Sequence, residues 1–271
     1  MKSKWLGLGL LLFPIVTFGQ KTFVQSVFNQ GMIKHGKEIY LQRCVGCHGV
    51  NGDGKGEAAM FLNPKPRDFT TGIYKFKSTA LDSLPTDDDL MRTLSKGLAG
   101  TSMPSFHLVP EVSRLAVIQY IKTFSDVWQD EDNYGGSLGG APLPAEEFRS
   151  HDSFIAKAKK GRALYVENCL TCHGQEGRGD GEGAEDLEDE WGQPIKPANL
   201  TYKTIKSGSS VEDIYRVIMS GIGGTPMPSF KDVISDEEMW DLSAFVLYLR
   251  GKGAGMYGDK LPVAEITEDE I

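Results

Sequence analysis

Long apolar segments and an excess of positive charge are both missing from this sequence. After the N-terminal stretch, no run is apolar and long enough to span a membrane. The formal net charge is −8, which is unsuited to binding nucleic acid or anionic membrane surfaces. Cysteine is scarce, with four residues among 271. An even number of cysteines allows disulfides if a protein is exported. The role of these four therefore has to be judged from their spacing.

The N-terminus has the pattern of a secretory leader. Lys2 and Lys4 precede an apolar run over residues 5–18, and Gly19 provides a small residue before a plausible cleavage point. This run is shorter than the roughly 20 residues that a spanning helix needs. We therefore predict a signal peptide over residues 1–19 and a mature protein in the periplasm. An uncleaved N-terminal anchor is the alternative.

One sequence module occurs twice in the chain. Five blocks recur in the same order with similar gaps: residues 40–49 and 165–174, 52–56 and 179–183, 65–70 and 196–201, 100–106 and 224–230, 116–122 and 244–250. A period this long indicates two domains rather than a solenoid. The predicted organisation is domain 1 over 31–128, a Gly-, Pro- and acid-rich linker over 129–151, domain 2 over 152–250 and an acidic tail over 251–271.

Each module has the apolar periodicity and the helix start signals of a mostly α-helical fold. Acidic residues after Thr86 and its copy Ser210 indicate the starts of two equivalent helices. Each module has two more predicted helices. The first leads into the first cysteine and covers residues 34–43 in module 1 and 156–168 in module 2. The second ends the module and covers residues 112–124 and 236–249.

All four cysteines lie in two copies of Cys-x-x-Cys-His, the attachment motif of haem c. Residues three apart in a helical turn share a face, so both thiols can bond the two vinyl groups of one porphyrin edge. The histidine that follows can then bind the iron. The predicted attachment residues are Cys44, Cys47, Cys169 and Cys172, with His48 and His173 as iron ligands. A disulfide, zinc or dithiol-redox site is the alternative, which the following histidine in both copies disfavours.

Met103 and Met227 are the candidates for the second axial ligand of each iron. Each lies in a Gly-Thr-x-Met-Pro-Ser-Phe loop, about 55 residues after its histidine. A thioether favours Fe(II), so His/Met ligation raises the reduction potential. Packing methionines are the alternative, but the loop recurs around both. The sequence thus predicts two haem c groups with His/Met ligation.

Two further pairs of residues recur around these motifs. A carbonyl near Pro66 and Pro197 is a candidate acceptor for the histidine Nδ1–H, with a rigid turn as the alternative. Tyr40 and Tyr165 precede each motif by one helical turn. We expect them to pack against the last helix of each module, near Tyr120 and Tyr248.

With these motifs, both modules resemble class I cytochrome c domains, and the chain resembles periplasmic dihaem c-type cytochromes over about residues 34–124 and 156–250. The resemblance implies that the first and last helices of each domain cross and that the methionine loop closes over the haem. Similar chains also occur as electron-transfer subunits beside molybdenum-containing oxidoreductases. The implied partners are a redox protein donor and acceptor, in a periplasmic or membrane-associated oxidoreductase complex.

The predicted function is electron transfer, and no catalytic residue is predicted. Two six-coordinate haems leave no open iron position for a substrate. Domain 1 has 12 basic and 10 acidic residues, and domain 2 has 11 and 17. This asymmetry fits two different docking faces; solubility explains it equally well.

The alternative is a dihaem redox enzyme similar to peroxidases or thiosulfate dehydrogenases. A peroxidase needs a haem with an open coordination position. The thiosulfate enzymes use a cysteine as an axial ligand, and the two motifs leave no cysteine unassigned. A haem-based gas sensor would likewise need an exchangeable ligand.

Overall fold

The computed structural model describes residues 18–250, so most of the predicted signal peptide and all of the acidic tail lie outside the described residues. Within that range the chain is helical and contains no β-strand, which confirms the mostly α prediction. The helices are α1 (Phe18–Arg43), α2 (Val45–His48), α3 (Asp87–Lys96), α4 (Glu111–Lys122), α5 (His151–Asn168), α6 (Leu170–His173), α7 (Val211–Ser220) and α8 (Asp236–Leu249). We call residues 18–128 the first half and residues 152–250 the second half.

In each half, the long first helix crosses the last helix at a glycine. Helix α1 packs against α4, and α5 packs against α8. A Cβ at Gly36 would overlap the backbone carbonyl of Ala116, and one at Gly161 would overlap the carbonyl of Asp241. Only a residue without a side chain permits helices this close. The crossing that the resemblance implied is therefore present in both halves.

Helices α3 and α7 begin with the same capping box. Thr86 Oγ1 accepts a hydrogen bond from Asp89 N at 3.1 Å, and the Asp89 carboxylate accepts one from Thr86 N at 3.1 Å. Ser210 and Asp213 form the same pair of bonds at 3.2 and 3.4 Å. These bonds satisfy N–H groups that the first turn of a helix leaves unpaired, which confirms both predicted helix starts.

The first helix of each half begins earlier in the chain than predicted. Helix α1 begins at Phe18 rather than near residue 34, and α5 begins at His151 rather than near residue 156. Ser150 caps α5 by accepting a hydrogen bond from Ser153 N at 3.1 Å. The last helices, α4 and α8, lie within two residues of their predicted limits.

The segment that connects the two halves, residues 129–151, packs against both of them. Leu138 N donates a hydrogen bond to the Ser78 carbonyl of the first half at 2.7 Å. Phe148 is 1% exposed and belongs to the core of the second half. Although its composition is typical of a flexible linker, this segment follows a path fixed by contacts at each end.

The two halves also bond to each other directly. Lys75 forms an ion pair with Asp189 at 2.9 Å. Ser220 Oγ donates to the Lys77 carbonyl at 2.8 Å, and Gly223 N donates to the Lys75 carbonyl at 3.1 Å. A strip of the first half therefore lies along the end of α7 and the loop that follows it. No helix within residues 18–250 combines the length and the apolar character that crossing a membrane requires.

Candidate haem-binding sites

Each Cys-x-x-Cys-His motif folds as one short helical turn. In the first half, the N–H groups of Cys47 and His48 both donate to the Cys44 carbonyl, at 3.1 and 2.9 Å. The second motif, on α6, repeats these bonds at 3.2 and 2.9 Å. All four cysteines are free thiols and partly exposed. Each pair of thiols is therefore available on one turn, as attachment to one flat group requires.

A backbone carbonyl orients each predicted histidine ligand. His48 Nδ1 lies 3.0 Å from the carbonyl oxygen of Arg67, and His173 Nδ1 lies 3.2 Å from that of Ala198. A carbonyl can only accept, so Nδ1 carries the proton in both rings. In that tautomer Nε2 carries the lone pair, as a metal ligand requires.

The acceptor carbonyl lies near the two prolines, as the sequence suggested, and belongs to the residue that directly follows each of them. The carbonyls of Pro66 and Pro197 instead pack against Gly54 and Gly179. Both glycines have a positive φ, 73° and 76°, which lets the loop after each motif approach the proline. Their N–H groups donate to the carbonyls of His48 and His173, so the structure matches residues 52–56 with 177–181 and not with 179–183 as the sequence alignment had it. The following peptide group then turns its oxygen toward the histidine.

Burial favours the uncharged form of the candidate ligands. It lowers the pKa of His48 and His173, and the carbonyl hydrogen bonds oppose this only in part. Neutral imidazole is the form that binds a metal. Burial also raises the pKa of Cys44 to about 11 and that of Cys169 to about 12. Before attachment these thiols are therefore protonated at neutral pH.

The two methionine loops share one hydrogen-bond pattern. Leu98 N donates to the Met103 carbonyl at 3.1 Å, Thr101 Oγ1 donates to the Leu98 carbonyl at 2.8 Å, and Met103 N donates to Thr101 Oγ1 at 3.1 Å. In the loop of Met227, the same three bonds measure 3.1, 2.8 and 3.3 Å. The threonine of the repeated Gly-Thr-x-Met sequence thus fixes the methionine backbone in both halves.

Each half brings its motif and its methionine loop to the same apolar core. Cys44 and Met103 pack against the core of the first half, and Cys169 and Met227 against that of the second. Two thiols, an imidazole with an available Nε2 and a thioether are the donor set that haem c takes. Within residues 18–250, no cluster of three or more His, Cys, Asp or Glu side chains could hold another metal ion. The residues of both sites fit haem c.

Sequence reasoning missed a hydrogen bond that links the first helix of each half to its motif. Tyr40 OH donates to the Gly49 carbonyl at 2.7 Å, and Tyr165 OH donates to the Gly174 carbonyl at 2.6 Å. Both glycines directly follow the predicted histidine ligand. The signal was present in the sequence, because tyrosine and glycine lie in the same repeated block.

The predicted aromatic packing of these tyrosines is confirmed in the first half and shifted in the second. The rings of Tyr40 and Tyr120 lie 5.3 Å apart in an edge-on arrangement. Tyr165 packs against Phe245 at 5.1 Å, one helical turn before Tyr248. The halves also differ beside the histidine, where Phe69 stacks on His48 at 4.5 Å and the repeat places a leucine in the second half.

Two family models match the chain, one in each half. The cytochrome c family matches residues 33–125. The family of subunit III of cbb3-type cytochrome c oxidase matches residues 156–246.

Curated relatives include two oxidase subunits. The chain is 24% identical over 218 residues to the cbb3-type cytochrome c oxidase subunit FixP of Azorhizobium caulinodans, covering 80% of this chain and 59% of that protein. It is 28% identical over 220 residues to FixP of Bradyrhizobium diazoefficiens, covering 81% and 61%. The chain therefore spans about three fifths of the length of these relatives.

A solved structure is more similar. The reducing HAO-like protein complex Kustc0457/Kustc0458 of Kuenenia stuttgartiensis contains a chain that is 38% identical, with a TM-score of 0.71. The match covers 79% of this chain and 95% of that chain. Together with the two matched cytochrome c domains, this similarity shows that the chain belongs to the dihaem c-type cytochromes, with two covalently bound haem c groups.

Proposed function

We propose that the protein relays electrons between a donor and an acceptor protein in the periplasm, as a cytochrome subunit or partner of a larger oxidoreductase complex. The observation that carries this proposal is the repeated arrangement of motif and methionine loop around each core, in two halves that bond to each other. A bound haem c takes up and releases one electron at its iron.

In this proposal, the predicted site residues divide into attachment and ligation. Domain 1 (31–128) and domain 2 (152–250) each hold one haem. The attachment residues are Cys44 and Cys47 for the first haem and Cys169 and Cys172 for the second; the iron ligands are His48 with Met103 and His173 with Met227. The backbone carbonyls bonded to the histidines and the threonines bonded to the methionine N–H groups would hold these ligands in place.

A carrier role follows from filled coordination. His48 with Met103, and His173 with Met227, would fill the two protein coordination positions of each bound haem and leave none for a substrate. A dihaem redox enzyme of the peroxidase or thiosulfate dehydrogenase kind is the alternative, and it requires an exchangeable position on one iron. A molybdenum-containing enzyme is one candidate partner, from the family resemblance alone.

The relatives support a place in an assembly. Two are oxidase subunits by name, and the similar solved chain comes from a protein complex. The donor and the acceptor would dock on separate faces, since the first half is close to neutral and the second is acidic. The secretory pattern of residues 1–19 supports export to the periplasm.

Spectroscopy of the protein purified from the exported fraction tests the carrier role. We expect two haems per chain, both low-spin by electron paramagnetic resonance, and the weak long-wavelength absorption band of methionine bound to ferric iron. Carbon monoxide should leave the reduced spectrum unchanged. A high-spin haem that binds carbon monoxide readily would support the enzyme alternative for that half.

Ligand replacement tests the two methionines separately. Met103→His and Met227→His should each lower the reduction potential of one haem and leave the other unchanged, because a thioether stabilises Fe(II) relative to imidazole. Met60→His is the matched control, since Met60 is 74% exposed and should leave both potentials unchanged. An unchanged potential in a ligand variant would show that its methionine does not bind iron.

A further inference from the structure

Trp191 lies between the two candidate haem sites, outside every repeated block. It belongs to the connection between residues 183 and 196, which is longer than the equivalent connection of the first half and is rich in acids. The indole is partly buried and, with Arg67, lines a cleft of about 1510 Å³ between the halves.

On one side, Trp191 contacts the residue that orients the first histidine. The guanidinium carbon of Arg67 lies 3.8 Å from the centroid of the indole ring, in a stacked cation–π arrangement. The backbone carbonyl of the same arginine accepts the Nδ1 hydrogen bond of His48 at 3.0 Å. Arg67 therefore joins the indole of the second half to a predicted iron ligand of the first.

On the other side, Trp191 contacts the loop of Met227. A Cβ added to Gly224 would lie 2.7 Å from the indole Cη2 atom. The neighbouring Glu190 N donates to the Gly224 carbonyl at 3.1 Å. Gly224 directly precedes Thr225, whose hydroxyl accepts from Met227 N. The indole thus packs on the start of the loop that positions the second methionine.

Asp189 holds this tryptophan in place. Its carboxylate accepts hydrogen bonds from Trp191 N at 3.2 Å and Gln193 N at 3.0 Å. It also pairs with Lys75 of the first half at 2.9 Å, and the Lys75 carbonyl accepts the Gly223 N–H. The turn that presents the indole is therefore fixed from both halves.

We propose that Trp191 is a positioning residue that couples the two haem sites, by holding His48 through Arg67 and the Met227 loop through Gly224. The inference rests on the proposed ligation of the two haems. Removing the indole would release the Arg67 side chain and let water reach the peptide group that orients His48. Hydrogen bonding of an axial histidine and solvent exposure both set a haem potential, and water favours the more highly charged ferric state.

The test uses Trp191→Ala and Trp191→Phe in the full-length dihaem protein. Three properties are measured: both reduction potentials by spectroelectrochemistry, the g-values of both ferric haems, and the rate of electron exchange between the haems after rapid photoreduction. We expect Trp191→Ala to lower the potential of the first haem, to shift its g-values and to slow exchange severalfold. Trp191→Phe should give values between those of the wild type and Trp191→Ala, since it keeps an aromatic ring under the Arg67 guanidinium. Tyr202→Ala is the matched control, as an aromatic of the second half that is 63% exposed.

A double-mutant cycle separates coupling from general loosening. If Arg67 transmits the effect, Arg67→Ala combined with Trp191→Ala should shift the first potential no further than either change alone. If Trp191→Ala does not yield dihaem protein, Trp191→Phe and Arg67→Gln are measured in its place. Wild-type potentials, g-values and exchange rate in dihaem variants would overturn the inference, as would shifts equal to those of Tyr202→Ala. Wild-type protein without two low-spin haems would instead overturn the proposed function.

Discussion

The loops of Met103 and Met227 have the same internal hydrogen bonds but different neighbours. In the second half, Gly223 N donates to the Lys75 carbonyl, and a Cβ on Gly223 would overlap the Tyr74 carbonyl. The equivalent residue of the first half is alanine. Nearby, Gly100 has nothing within 4 Å of an added Cβ and lines the cleft between the halves. One loop is covered by the other half, and its copy borders open space.

This contrast shows which part of a duplicated domain stayed the same and which part changed. The contacts that hold the candidate ligands occur twice, because each joins residues of the repeated blocks, or residues directly beside them, within one half. The contacts that join the halves occur once. They use residues that differ between the copies, such as Gly223 against Ala99, and they make the two candidate haem sites inequivalent although the candidate ligands are the same.

The largest expected effect comes from a buried ion pair between α5 and α8 in the second half; the first half has uncharged residues at the equivalent positions. Lys157 is 5% exposed and lies 3.0 Å from Asp241 and 2.7 Å from Glu147. The repeat places Met32 at the equivalent position of the first half. Lys157→Met would leave the Asp241 carboxylate buried without its close partner, at a cost of about 3–5 kcal/mol in the free energy of unfolding. Thermal unfolding followed by circular dichroism measures this loss.

The double variant Lys157→Met/Asp241→Ser is the control. It gives the second half the residues that the first half has at both positions, Met32 and Ser113. Because no buried charge is left unpaired, most of the lost stability should return. A double variant as unstable as the single one would show that the loss does not come from the unpaired charge of Asp241.

A second prediction concerns the covered loop. Gly223→Ala would bring a Cβ against the Tyr74 carbonyl and force the two halves apart, at a cost of about 1–3 kcal/mol. Small-angle scattering should show a larger radius of gyration, and urea unfolding a lower midpoint. Ala99→Gly in the other loop is the matched control and should leave the scattering unchanged. If Gly223→Ala keeps the wild-type radius and midpoint, the covering contact adjusts without strain.

A third prediction concerns a tyrosine hydrogen bond that both halves contain. Tyr40→Phe and Tyr165→Phe each remove one buried hydrogen bond to the glycine that follows the histidine. We expect each to lower the free energy of unfolding by about 1 kcal/mol, with the same sign and similar size. Urea unfolding of the two variants gives both values. Clearly unequal losses would mean that the bond has different strengths in the two copies.

The parts of this molecule that were predictable from the sequence are those that local interactions determine. The attachment motifs, the methionine loops and the capped starts of α3 and α7 each depend on residues close together in the chain. Helices α4 and α8 were predictable because an apolar face and a start signal lie within one segment. Repetition strengthened each of these predictions, since an accidental pattern does not recur in register.

The remaining features depend on contacts between distant residues. The carbonyl that orients His48 belongs to Arg67 rather than Pro66, because a glycine of another loop packs against the proline. Residues 129–151 have the composition of a flexible linker, and their packing depends on acceptors in both halves. By its sequence composition, the acidic connection that contains Trp191 is typical of a solvent-exposed insertion. Its contacts appear only when the two halves are brought together.

The smallest expected effect concerns two aspartates at equivalent helix starts. Burial works against their charge, but hydrogen bonds from Ser78 and Arg92 to Asp89 outweigh it and lower the pKa. For Asp213, Arg216 and then Lys96 of the first half have the same effect. The folded pKa is thus below the unfolded value of about 3.9. Each carboxylate contributes stability above that pH and loses it as the pH falls through the folded pKa.

Lys96 makes this contribution differ between the halves. Asp89 and Asp213 each pair with an arginine of their own helix at 2.9 Å, Arg92 and Arg216. Lys96 adds a second ion pair to Asp213 alone, across the boundary at 3.3 Å. Lys96 is 58% exposed, so its pair contributes at most about 1 kcal/mol. Lys96→Gln should therefore lower the free energy of unfolding slightly at pH 7. The difference from wild type should vanish at high salt and should begin to decline below about pH 4, disappearing as the pH falls through the lower folded pKa of Asp213. Urea unfolding between pH 3 and 7 measures it. A difference that persisted in acid would mean that Lys96 acts through packing, and the contrast between the two capping boxes would then not be electrostatic.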